Sequence, residues 1–159
     1  MRTKFLMSAA ALAVAGAVLA GVAAAGSVAK QQRIAIALES NSSRFVLTPL
    51  TSGPVGHDSG TVSSCCWTRR FSTRDGESIE IDNPTSTFTG KRGTFTWHER
   101  ITFIASDNDY TIGDGVWTMV KGTGAYAHLT GHGREALVLK NVEDRRLASK
   151  AEGLISVRP

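Results

Sequence analysis

The strongest constraint on the fold is a strict alternation between residues 93 and 105. Phe95, Trp97, Ile101 and Phe103 fall on one face of an extended chain, because successive side chains point to opposite sides of a strand. Thr94, Thr96, His98, Arg100 and Thr102 fall on the other face, which suits solvent. Weaker versions of this pattern recur along the chain. Residues 33–39 alternate Ile34, Ile36 and Leu38 against small or polar neighbours, and residues 44–50 follow a polar break. Residues 52–60 carry three glycines and Pro54 and read as a loop. Residues 61–72 read as a long strand, Asp75-Gly76 as a hairpin turn, and residues 77–82 as a strand with Ile79 and Ile81 on one face. Asn83-Pro84 is expected to break or bulge that strand before residues 85–89 resume it. A turn at 106–109 and strands at 116–121, 134–140 and 147–157 complete the series. No long stretch repeats its apolar residues every 3.6 positions, so a parallel α/β sheet is disfavoured. The expectation is an all-β chain of about eight strands with short connections, a single antiparallel β-barrel or, less closely, a sandwich.

The first 25 residues do not belong to that pattern. Arg2 and Lys4 precede an uncharged run of Ala, Val and Leu, and Ala23-Ala24-Ala25 supplies the small residues of a signal-peptidase site. Residues 1–25 are read as a signal peptide, with cleavage after residue 29 as the alternative, and residues 30–159 as the barrel domain. A membrane anchor is the competing reading, but the run is only weakly apolar. No Arg-Arg pair precedes it, so the general secretory route is expected, giving a secreted protein with no stable membrane insertion after cleavage. Removing Arg2 and Lys4 lowers the formal charge from +4 to +2, leaving 16 basic against 14 acidic residues. The basic residues are scattered, so no nucleic-acid partner is expected. The 42% hydrophobic and 20% charged content suits a packed globule rather than a disordered chain.

Gly122-Thr123-Gly124-Ala125-Tyr126-Ala127 fits the loose form of a dinucleotide-binding turn. That reading needs a helix to follow, and Gly131 and Gly133 leave no room for one. The segment carries a resemblance instead. Gly115, Val116 and Trp117, then Gly122, Gly124, Tyr126, Leu129, Gly131 and Gly133, preceded by the 93–97 strand, resemble the late part of the allene oxide cyclase-like barrels, which include the dirigent proteins. The resemblance covers residues 90–133 and is vague before them. It implies a small antiparallel β-barrel, often eight-stranded, whose interior can hold an apolar ligand. The cyclase's catalytic residues cannot be matched here, so the resemblance implies the fold and not the reaction.

Glu99 is the sharpest single candidate, because it interrupts the apolar face of the 93–105 strand. A carboxyl among aromatics is unfavourable unless it is paired, protonated or beside water. Burial would raise its pKa and suit it to acid/base work. An ion pair with an inward Arg, or a bulge that turns it outward, is the structural alternative. Phe95, Trp97, Glu99, Ile101, Phe103 and Trp117 form the expected ligand-binding wall, with core packing as the competing role of the tryptophans. Cys65 and Cys66 are adjacent, with Cα atoms about 3.8 Å apart, too close for an ordinary disulfide. A strained vicinal bond is one reading; one thiol inside and one outside is the favoured one. His128 and His132 lack a third ligand, so no metal is expected, and no cofactor motif is present. His57, Asp58 and Ser59 lie in the expected 52–60 loop without the context of a hydrolase site. Asn41-Ser42-Ser43 fits a glycosylation acceptor in a host that glycosylates.

Three functions follow. The first is a non-enzymatic protein that binds a small apolar ligand in the barrel. The second is a cyclase or isomerase acting on an apolar polyene or polyketide-like substrate, with Glu99 as acid or base. The third is an interaction protein of the cell envelope.

Overall fold

The computed structural model describes residues 30–38, 43–105, 110–140 and 147–158. The export segment 1–25, the alternative cleavage region, the Asn41 acceptor and the 106–109 turn lie outside the described residues. The strands are β1 (Gln32–Leu38), β2 (Arg44–Pro49), β3 (Asp58–Arg74), β4 (Glu77–Gly90), β5 (Gly93–Ala105), β6 (Tyr110–Gly122), β7 (Leu129–Lys140) and β8 (Leu147–Val157). Each pairs antiparallel with its sequence neighbours, and β1 also pairs with β8, so one sheet closes on itself in a ring. A single 3-10 turn at Gly124–Tyr126 joins β6 to β7. Among the described residues no helix is long and apolar enough to cross a membrane.

The two ends of the ring are built differently. At one end the interior is solid. Phe88 and Phe95 stack at 4.6 Å with planes 5° apart, Phe45 meets both edge-on, and Trp97 lies 4.8 Å from Trp117. Ile34, Ile36, Leu47, Met119, Leu129 and Ile155 fill the remaining space. Asp58 and Gln32 seal this end. The Asp58 carboxylate accepts the Tyr126 hydroxyl at 2.8 Å and the backbone N–H groups of Ser59, Lys91 and Arg92. Gln32 accepts the Val55 N–H and donates to the Thr51 and Val55 carbonyls, which ties down the incoming loop. Asp58 is therefore the first residue of β3 and part of the seal, not a member of a flexible 52–60 loop.

Two strands run longer than their sequence suggests, for one physical reason. β6 begins at Tyr110 rather than 116, and β7 at Leu129 rather than 134. The added segments hold Gly113, Gly115, Gly131 and Gly133, which ordinarily weaken a strand. Inside a narrow ring these glycines make room for large neighbours. A Cβ on Gly133 would stand 2.6 Å from the Trp117 indole, and one on Gly115 would stand 3.0 Å from Glu135 Oε1. Gly124 has a different role: its φ of 57° is left-handed, and the Arg92 carbonyl approaches it too closely for any side chain.

Asn83-Pro84 does not break the chain, since β4 runs unbroken from Glu77 to Gly90. The pairings on both flanks skip Pro84, so its missing N–H leaves no ladder bond unmade. The opposing irregularity falls on β3, where the register shifts between Cys65 and Thr68 and Cys66 takes φ 61°. That bulge corrects the expectation for the cysteines: both are exposed and free, instead of one inside and one outside. The turn at Asp75-Gly76 has positive φ at both residues, as a tight type I′ hairpin requires. Thr96 keeps the face expected of it but is buried there, with its hydroxyl bonded to that of its cross-strand partner Thr87.

Candidate functional site

Beyond the aromatic layer the ring is hollow. A cavity of about 430 Å³ occupies the end from which the β3–β4 hairpin projects. Its apolar wall comes from Ile101 and Phe103 on β5 and Leu137 and Leu139 on β7, with Leu38 on β1. Its mouth is marked by Trp67, which is 54% exposed although it lines the cavity. Polar groups are few and grouped: Ser64, Ser86 and Ser149, an Arg69–Glu80–Asp82 cluster, and the carboxyls of Glu99 and Glu135.

The structure divides the expected wall in two. Glu99, Ile101 and Phe103 line the cavity. Phe95, Trp97 and Trp117 are fully buried in the solid half and do not line it. The period-two rule gives the correct face for the five residues on β5, but a face carries no information on depth along the ring. Trp97 still reaches the site, because its indole N–H donates to Glu99 Oε1. The motif residues Gly122, Gly124, Tyr126 and Leu129 belong to the sealed end, whereas Gly115 supports the cavity floor beneath Glu135.

Glu99 is the better partnered of the two carboxyls. Burial pushes its pKa up, while hydrogen bonds from Ser86 and Trp97 pull the other way; the net direction is upward. The Ser86 hydroxyl lies 2.8 Å from that of Ser64. If Ser86 gives its one proton to Glu99, Ser64 donates in turn to Ser86, forming a string of donors directed at the carboxylate.

Glu135 has no comparable support. It is 5% exposed, and its Oε1 is buried without a hydrogen-bond partner. Burial first, then the charges of Glu99 and Asp114, push its pKa to about 8. At neutral pH Glu135 is therefore largely protonated while Glu99 has two donors favouring its charge. The two carboxyls influence each other and titrate as a pair.

Glu135 was missed from the sequence, yet the signal was there. It alternates with Leu137 and Leu139 on one face of β7, the same signature that singles out Glu99 on β5. The Arg69 cluster was also missed. Arg69 makes two bonds of 3.1 Å to Asp82, which is 1% exposed, and one contact of 2.8 Å to Glu80. Glu80 and Asp82 face the cavity, so Ile79 and Ile81 occupy the opposite face of β4. His57, His98, His128 and His132 do not line the cavity. Among the described residues no group of three His, Cys, Asp or Glu side chains is placed to hold a metal ion.

No family model matches the chain, and no curated protein or solved structure is found to match it.

Proposed function

We propose that this chain is an exported β-barrel protein that holds a small apolar molecule in its open half, in the manner of the allene oxide cyclase-like barrels it resembles. The observation that carries the reading is the cavity of about 430 Å³ above a solid aromatic floor. That volume lies within the usual span of small-molecule sites, and the combination of an apolar wall with a few convergent polar groups is typical of them. Eight-stranded barrels are just wide enough to enclose one such ligand. The export part of the proposal rests on the character of residues 1–25.

Native mass spectrometry of the protein purified from its own host tests the binding reading. The expected result is a retained small molecule whose retention is weakened or lost in Leu137→Trp, whose larger side chain obstructs the apolar wall of the cavity. A ligand retained equally by that folded variant, or the absence of any retained or added apolar ligand, would overturn the reading.

An enzymatic reading has its own support. Two carboxyls with unlike surroundings, both pushed upward by burial but only Glu99 given donors that favour its charge, form an arrangement that lets a site both take and give a proton. Glu99 then serves as the base and Glu135 as the acid in an isomerisation or cyclisation, with most of the acceleration coming from how the walls fold the substrate. Glu99→Gln is nearly isosteric and should lower turnover of the retained molecule by about a hundredfold, a usual contribution for such a group. Unchanged turnover in that variant would exclude this role.

A further inference from the structure

Five charged side chains line the cavity among the described residues, and four of them are acidic: Glu80, Asp82, Glu99 and Glu135. The fifth, Arg69, is paired with Asp82 and Glu80. Its Nε and Nη2 bond both Asp82 oxygens, and Nε also meets Glu80 at 2.8 Å. Among the described residues no second cation lines the cavity, and the contacts of Arg69 go to Asp82 and Glu80, not to Glu99 or Glu135. Glu135 is 95% buried by its 5% exposure, and its Oε1 accepts nothing from the protein. Gly115 lies beneath it; a side chain there would press on the carboxyl. The site thus holds an unused acceptor, a second carboxyl with donors on one side, and hydrocarbon around both.

That combination selects among ligands. An anion would meet four carboxyl groups. A divalent metal needs a closer set of ligands than the described residues provide. A neutral carbonyl compound offers no donor to Glu135 Oε1. An ammonium group offers up to three donors and one positive charge, enough to reach both carboxyls together.

We propose that the cavity takes a lipophilic amine in its ammonium form, with the charged nitrogen between Glu99 and Glu135 and the hydrocarbon body against Ile101, Phe103, Leu137 and Leu139. This rests on the reading of the cavity as a small-molecule site and names the ligand class. On binding, the proton held by the carboxyl pair leaves to solvent, and both groups face the ammonium as anions. The charged groups around Glu135 are Glu99 on β5, Asp114 on β6, Glu80 and Asp82 on β4 and Arg69 on β3.

Calorimetric titration with aminoadamantane, adamantanol and adamantane carboxylate tests the proposal, since the three probes share one hydrocarbon body. The wild-type chain should bind the amine at least about tenfold more tightly than the alcohol, the scale of one charge-assisted hydrogen bond, and the carboxylate most weakly. Glu135→Gln should abolish the preference for the amine over the alcohol. Titrations of the wild type at neutral pH, in two buffers of unlike ionisation enthalpy, should show proton release with the amine and none with the alcohol; this readout needs no variant. Equal affinity for amine and alcohol, or no proton release, would overturn the ammonium proposal while leaving the apolar site standing. Amine binding that survives unchanged in Leu137→Trp, or no binding of any probe, would overturn the cavity reading itself.

Discussion

Asp58 and Glu135 are both carboxyls enclosed by the same ring, and they titrate in opposite directions. Burial raises the pKa of Asp58 too, but the Tyr126 hydroxyl and three backbone N–H donors outweigh it, and the group lies below its ordinary value. Glu135 lacks those donors and has Glu99 as a neighbour, so burial prevails and the value rises to about 8. Both residues are nearly inaccessible to solvent, but the Glu135 carboxyl is packed more deeply and lacks the donors that Asp58 has. An enclosed acid given donors becomes a fastener, and one denied them keeps its hydrogen-bonding capacity for something else. The difference divides the molecule into an end that holds it together and an end that is left to bind.

The largest effect should come from breaking the fastener. Asp58→Ala leaves the Tyr126 hydroxyl and the Lys91 and Arg92 N–H groups without their acceptor, and should lower unfolding stability by about 3 kcal/mol or more in denaturant titrations. A loss below about 1 kcal/mol would mean that water replaces the carboxylate and the seal is loose. Gly133→Ala comes next. The Glu152 carbonyl oxygen and the Trp117 indole both lie where the new methyl must go, so about 1–3 kcal/mol should be lost, with a changed near-ultraviolet circular dichroism as the ring shifts.

The pH dependence sharpens the contrast. The folded-state pKa of Glu135 is raised, so its stabilising contribution is complete below its ordinary value of 4.5 and is lost as pH rises through about 8. Asp58 behaves in reverse: its contribution is present above 3.8 and is lost as pH falls through its lower folded value. Stability should therefore decline on both sides, through a different acid on each. Glu135→Gln should remove part of the alkaline decline, stabilising the protein by about 1 kcal/mol at pH 9 with little effect at pH 5. Thermal melts across that range check the sign. The smallest effect belongs to Trp67→Ala at the exposed mouth, which should change stability by less than about 0.5 kcal/mol while weakening retention of an apolar ligand.

How much of this was legible in the sequence follows from the same division. Period-two alternation located the strands and the inward face of β5, because a sheet closed around a core imposes that rhythm on its sequence. It could not show that Trp97 and Trp117 lie below the cavity and Glu99 at its edge, since depth along a ring depends on register between strands that share no local pattern. Glycine misled the reading of β6 and β7, where small residues mark crowding inside the ring and not the end of a strand. Asp58 was hidden for another reason: its partners Tyr126, Lys91 and Arg92 stand more than 30 positions away in the chain. Glu135 was the avoidable omission, carrying the same interruption of an apolar face that drew attention to Glu99.

The most direct test of the division is a pH titration of the side-chain carboxyl carbons of Asp58 and Glu135 by NMR in the intact protein. Asp58 should titrate below 3.8 and Glu135 near 8, and a lipophilic amine should lower the second value without moving the first. If Glu135 instead titrates near 4.5, the open half is an ordinary hydrated cleft, and the contrast between a sealed end and a binding end is wrong.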